Sequence, residues 1–270
     1  MSTAMKTTPM PRERRHTLRF LDEIRSFAPV FLDTEVDMTA VQRHRERVRE
    51  EGGRVSTVTC VLHAAARVLA AHPEANAAVR GRVRQRLARY DTVNGKVTLD
   101  KTLGGQRVVL ATIIDDLAGR DLADVQRHLD RFRTGDPATM PEFVAVRLFH
   151  RLPWPLGTLL YRLAVRPLGK RAETVGTFAV TSLGHRPVDG FHSVGGTTIT
   201  LGLGRTTDRP VCRDGRVEVA PVMRLSLTFD HRVIDGAEAA DVLAEIKDSL
   251  ESFGAGSADA EPAPALGGER

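Results

Sequence analysis

The chain has 270 residues, 41% of them hydrophobic, enough to fill one sizeable core and to fit a single globular domain. Its net charge of +5 comes with only 5 lysines among 39 basic residues, and these alternate with Asp and Glu, with no aromatic-flanked basic stripe, so no nucleic-acid partner is expected. Cys60 and Cys212 read as reduced thiols, and the absence of a leader or an uncharged apolar run of about 18 residues predicts a soluble, cytoplasmic protein with no membrane partner.

Residues 1–9 read as a flexible start. Leu18, Leu21 and Ile24 follow helical spacing within a first helix over Arg12 to Arg25. Val30 to Met38 alternates as a strand, and a charged helix over Thr39 to Glu51 is closed by Gly52-Gly53. Ser56 or Thr57 can cap an Ala-, Val- and Leu-rich helix that runs through Ala71 until Pro73 ends it. Val97 to Leu99 and Arg107 to Ile114 are predicted strands on either side of a Gly104-Gly105 turn, and Leu122 to Phe132 returns to a helical period. Residues 143–168 are apolar but broken by Arg147, Arg151, Pro153, Pro155, Arg162 and Arg166, which predicts two short helices parted near Trp154 rather than a membrane span. Strands over Thr177 to Thr181, Thr197 to Leu203 and Leu225 to Phe229 precede an amphipathic helix over Ala237 to Leu250. From Gly254 the composition turns to Gly, Ala, Pro and charge, and residues 254–270 are expected to be disordered.

The residues that suggest chemistry lie at the junction of the last strand and the last helix, in Leu225-Ser-Leu-Thr-Phe-Asp-His-Arg-Val-Ile-Asp-Gly-Ala237. A histidine titrates near neutral pH, and one held between a strand and a helix is well placed to act as a general base. The bare pattern His-x-x-x-Asp-Gly occurs twice, at His231-Asp235-Gly236 and at His185-Asp189-Gly190. Only the second copy in the chain has a strand before it and a helix after it, which favours His231 and leaves His185 as a surface-loop histidine.

The Phe-Asp-His-Arg-Val-Ile-Asp-Gly-Ala string resembles the active-site motif of dihydrolipoyl acyltransferase catalytic domains, which share a fold and mechanism with chloramphenicol acetyltransferase. Gly176-Thr-Phe-Ala-Val-Thr-Ser-Leu-Gly184 is similar to a second segment of that family, and the likeness runs over roughly residues 12 to 252. The resemblance implies an α+β, two-layer sandwich with a mixed sheet flanked by helices, a catalytic domain over residues 10–253, and a helical insertion at about 137–170. It also implies His231 as general base and a hydroxyl donor to the oxyanion at Thr181, preferred over the alternative Ser182 because the adjacent residue on a strand faces the other way. Asp235 is implied to pair with an arginine that fixes the loop, Arg14 or Arg15 being the candidates. No metal and no tightly bound cofactor are expected. Acetyl-CoA or another acyl-CoA is the implied co-substrate, and a homotrimer the implied assembly.

Neither a lipoyl domain nor an apolar cage anchor is read in the sequence. The expectation is therefore a stand-alone acyltransferase acting on a small-molecule hydroxyl, with an acyl carrier protein as a possible partner and natural-product (tetronate polyketide) biosynthesis as the setting. The alternatives are a catalytic subunit of a 2-oxoacid dehydrogenase complex acting on dihydrolipoamide, or a non-catalytic scaffold.

Overall fold

A computed structural model describes Met5 and residues 7–81 and 83–255. The expected loose start and tail lie mostly outside those residues. A mixed six-stranded sheet is built from β1 (Pro29–Asp37), β4 (Gly95–Leu103), β5 (Gln106–Ile114), β6 (Phe178–Ser182), β7 (Ile199–Arg213) and β8 (Arg216–Asp230), in the order β1-β8-β7-β6-β4-β5. The pairs β6–β7 and β4–β6 are parallel and the others antiparallel. This is the α+β sandwich the sequence implies.

Strand alternation sends one set of side chains toward the helices. Val180, Leu201, Leu225, Leu227 and Phe229 bury there against α3 (Thr57–Ala71) and α8 (Gly236–Glu251), with α2 (Thr39–Glu50) and α4 (Leu122–Thr134) at the flanks. Ser56 caps α3 by accepting the Thr59 N–H at 3.2 Å. Cys60 is sealed inside α3, where burial pushes its thiol up to about 12. The opposite side of the sheet is more polar, carrying Thr181, Gly202 and Ser226 in one row, and is covered by the segment after β6 and by α1 (Arg15–Glu23). Close approach there depends on glycine: a Cβ on Gly204 would stand 1.9 Å from the Asp189 carbonyl oxygen.

Between α4 and α7 (Leu168–Thr174) lie α5 (Val144–Arg151) and α6 (Trp154–Val165), parted next to Trp154 as the prolines predict. Arginines fasten them to α1. Arg15 donates to the carbonyls of His150 (2.9 Å) and Leu152 (3.1 Å), and the buried Arg19 donates to Phe149 O (2.9 Å) and stacks 4.8 Å over the Trp154 ring.

Two features go beyond the sequence reading. A separate hairpin, β2 (Ala77–Arg80) and β3 (Arg86–Arg89), is made from Ala- and Arg-rich segments with little strand propensity. The β7–β8 pair extends outward past a register shift between Leu203 and Thr206 to a turn at Asp214-Gly215, whose φ values of 50° and 75° suit that dipeptide.

His72 joins the end of α3 to α8, its ring nitrogens lying 2.8 Å from Glu238 and 3.1 Å from Glu245. Burial alone would lower its pKa, but the two carboxylates outweigh burial and raise it above 6.5. A raised folded-state pKa gives stability that is fully present below pH 6.5 and is lost as pH rises through the folded value. We therefore expect the difference in melting temperature between wild type and His72→Gln to be largest near pH 5.5–6 and to shrink by about pH 8, read by thermal melts across pH.

Candidate active site

His231 follows β8 directly, and its position is fixed by its neighbours. Asp230 is buried, 2% exposed, and accepts from Arg232 Nε at 2.8 and 3.1 Å. Its carboxylate also accepts the backbone N–H groups of Arg232 (3.2 Å) and Ala28 (3.4 Å), while its own N–H donates to Thr198 O (3.0 Å). The Arg232 guanidinium lies 5.0 Å over the Phe27 ring and reaches Ser26 Oγ at 3.2 Å. The His231 N–H donates to Ala28 O at 2.9 Å. The turn is thus pinned to the lead-in of β1 on one side and of β7 on the other.

The imidazole packs 5.4 Å from the Phe229 ring and its side chain is 46% exposed. Nδ1 faces Asp235 Oδ1 at 3.4 Å, too long for a strong hydrogen bond. Nε2 contacts no protein donor or acceptor among the described residues, so it is available to take a proton.

Asp235 occupies the N-cap position of α8, with its side chain 91% exposed. Within one chain, among the described residues, neither Arg14 nor Arg15 meets Asp235. Arg15 spends its guanidinium on the carbonyls of α5, and Arg14 is exposed at the N-terminal end of α1, the end that lies beside β5 through the His16–Val109 contact. The carboxylate–arginine pair that fixes the loop is Asp230–Arg232 instead. The signal for it was the pair of opposite charges on either side of the histidine, at i and i+2.

Thr181 lies in β6 with its hydroxyl 2.7 Å from Thr98 Oγ1 on β4, a partner the sequence reading missed. Ser182 sits on the other side of the strand, its Oγ accepting the Gly184 N–H at 3.4 Å. The sheet register separates Thr181 from His231. Thr181 pairs with Gly202 and Gly202 with Ser226, so His231, just past the end of β8, stands five residues beyond that level and two strands away. That is roughly 17 Å along the strands and about 10 Å across them. One chain does not bring the two groups together.

The first His-x-x-x-Asp-Gly copy has a different setting. His185 is exposed after β6, and Asp189 is committed to Arg205 (2.6 Å), whose hydrogen bond holds its carboxyl below the usual range. Among the described residues, no three or more His, Cys, Asp or Glu side chains group as a metal site, and no helix is long and apolar enough to cross a membrane.

A family model described as 2-oxoacid dehydrogenases acyltransferase (catalytic domain) matches residues 2–134 and 167–255. The chain belongs to this acyltransferase family. The mitochondrial dihydrolipoyllysine-residue succinyltransferase component of the 2-oxoglutarate dehydrogenase complex of Homo sapiens is 26% identical over 229 residues, covering 80% of this chain and 42% of that protein. The dihydrolipoyllysine-residue acetyltransferase component of the pyruvate dehydrogenase complex of Bacillus subtilis is 53% identical over 47 residues, 17% of this chain and 11% of that protein. Among solved structures, the cubic core of the pyruvate dehydrogenase multienzyme complex superposes with a TM-score of 0.69 at 20% identity, covering 93% of each chain. The chain therefore has the fold of the acyltransferase cores and spans less than half the length of the curated relatives it matches. Residues 135–166, which hold α5 and α6, fall between the two matched parts.

His231→Ala is expected to keep the fold and lower acyl transfer by at least ~10², while His185→Ala changes little, measured as thiol release from acyl-CoA. Reversed results would transfer the role to His185. Asp230→Asn leaves Arg232 uncompensated beside a buried amide, and should cost about 3 kcal/mol in denaturant unfolding and displace the imidazole in a crystal structure.

Proposed function

We propose that the protein moves an acyl group between CoA and the thiol of a dihydrolipoyl group. The single observation that supports this most is the pinned, half-exposed His231 with Nε2 open, in a chain of the 2-oxoacid dehydrogenase acyltransferase family. Nε2 takes the proton of the acceptor thiol as its sulfur attacks the thioester carbonyl. The developing oxyanion accepts a hydrogen bond from Thr181, and Thr98 Oγ1, 2.7 Å away, supports that role in the arrangement where Thr98 donates to Thr181 and leaves its hydrogen free. Collapse expels the CoA thiolate, which recovers the proton from the imidazolium.

The distance between His231 and Thr181 within one chain means that this mechanism needs two chains. A cube carries three-fold axes at its corners, and a homotrimer with each site shared between neighbours meets the requirement. Asp235, at the exposed cap of α8, faces Nδ1 at 3.4 Å and places a carboxylate beside the imidazolium as it forms.

Acetyl transfer to a small-molecule hydroxyl, or from an acyl carrier protein, is the second reading. It is supported by α5 and α6, which stand outside the family match and offer Leu159 and Leu163 as an exposed apolar wall. Acetyl-CoA and succinyl-CoA supplied with dihydrolipoamide or with hydroxyl-bearing metabolites decide between them. A kcat/KM favouring dihydrolipoamide is expected, and a clear preference for a hydroxyl would replace the first reading with the second.

The shared site has its own test. His231→Ala and Thr181→Val, each nearly inactive alone, are mixed, unfolded and refolded together. Sites that combine an intact histidine with a neighbour's intact threonine should restore about a quarter of wild-type activity. No recovery from refolded oligomers, or a monomer by light scattering, would refute the shared site.

A further inference from the structure

A cleft of about 660 Å³ opens between α6, the turn after it and the β2–β3 hairpin. Five arginines line it: Arg80, Arg84 and Arg86 from the hairpin, Arg162 and Arg166 from α6 and its end. Among the described residues two carboxylates offset them, Asp22 on Arg162 (2.7 Å) and Glu23 on Arg166 (2.8 Å). Arg84 and Arg86 are exposed and pair with no carboxylate among the described residues. Arg80 reaches the Arg166 carbonyl oxygen, and burial together with the Arg166 charge lowers its pKa. Gathering cations in this way carries a repulsive cost that a bound anion relieves.

The cleft is not only basic. Leu159 and Leu163, 55% and 62% exposed, form its apolar wall beside Arg162, the i and i+4 spacing putting both leucines on one side of α6. Its volume falls within the roughly 300–1,000 Å³ of small-molecule sites. The cleft also lies on the same end of the sheet as His231. Thr198, which accepts the Asp230 N–H through its carbonyl, donates its hydroxyl to Ala77 O at the start of β2, three residues before Arg80. Leu159, Arg162, Leu163 and Arg166 all fall within residues 135–166, so the site exists only because of helices that the family match does not include.

We propose that this cleft binds a phosphate-bearing ligand, the arginines holding the phosphates bidentately and Leu159 and Leu163 packing on an adjoining apolar body. The phosphates can come from the nucleotide end of CoA or from a separate phosphorylated small molecule. Only the first source rests on the acyltransferase reading.

The test is isothermal titration of the full chain with CoA, with pantetheine, which lacks the phosphates, and with inorganic pyrophosphate. CoA or pyrophosphate should bind and pantetheine should not. Arg84→Ala with Arg86→Ala should raise Kd about tenfold or more and flatten its salt dependence. A charge-matched control, Arg12→Ala with Arg43→Ala, should stay within about twofold. Tighter binding of CoA than of pyrophosphate assigns the site to the donor, and comparable binding assigns it to phosphate alone. Absence of binding by both, or equal Kd values for wild type and Arg84→Ala/Arg86→Ala, would overturn the proposal whatever the acyl-transfer rate. Variant-sensitive binding without any acyl transfer would instead leave the cleft assigned and remove the acyltransferase reading.

Discussion

A carboxylate buried at the end of a strand must be neutralised where it stands, and the ordering around Asp230 follows from that requirement. Removing one partner of a buried ion pair typically costs about 3–5 kcal/mol, so the turn that carries Arg232 has little freedom to move. Because Asp230 also receives the Ala28 N–H and gives its own N–H to Thr198, the same residue ties β8 to the segments entering β1 and β7. His231 is held by this frame rather than by a bond to its own ring. A base positioned through its backbone keeps both ring nitrogens for chemistry, with Nδ1 turned to Asp235 and Nε2 to solvent.

The sheet sets a second constraint. Parallel pairing of β6 with β7 and antiparallel pairing of β7 with β8 place Thr181 in a row with Gly202 and Ser226, at the level where β8 has four residues still to run before His231. A hydroxyl and an imidazole that serve one tetrahedral intermediate need to be within a few ångströms of the same atom. Backbone register does not adjust by such a distance, since slipping a strand would turn its core side chains outward. Under the proposed function, symmetric assembly is what would reconcile the two positions.

The helices between α4 and α7 contribute in a different way. Their apolar residues do not extend the main core: Leu148, Leu159 and Leu163 face outward, while arginines from α1 hold the helices by their backbone carbonyls. Arginine suits this use because its planar fork reaches carbonyls and stacks on Trp154 and Phe149 at once. The arginine richness of the composition therefore has a structural part, at Arg15 and Arg19, and a part left facing a cleft, at Arg84 and Arg86.

Periodicity in the sequence located α1, α2, α3, α4 and α8 within a few residues, because amphipathic spacing, the Ser56 cap and the Gly and Pro stops act locally. It also singled out the strand-to-helix setting of His231 against the loop setting of His185. The β2–β3 hairpin escaped it because Ala and Arg carry no strand pattern, and the outer part of β7–β8 was not read either, although the Asp214-Gly215 dipeptide suits its turn. Local pattern reaches the set of elements and the residue types able to move a proton or stabilise an oxyanion. Which carboxylate meets which arginine, and that His231 and Thr181 stand on different levels of the sheet, were decided by the tertiary structure alone. Those relations depend on strand order and register, and these arise from packing between segments far apart in the chain rather than from any local pattern.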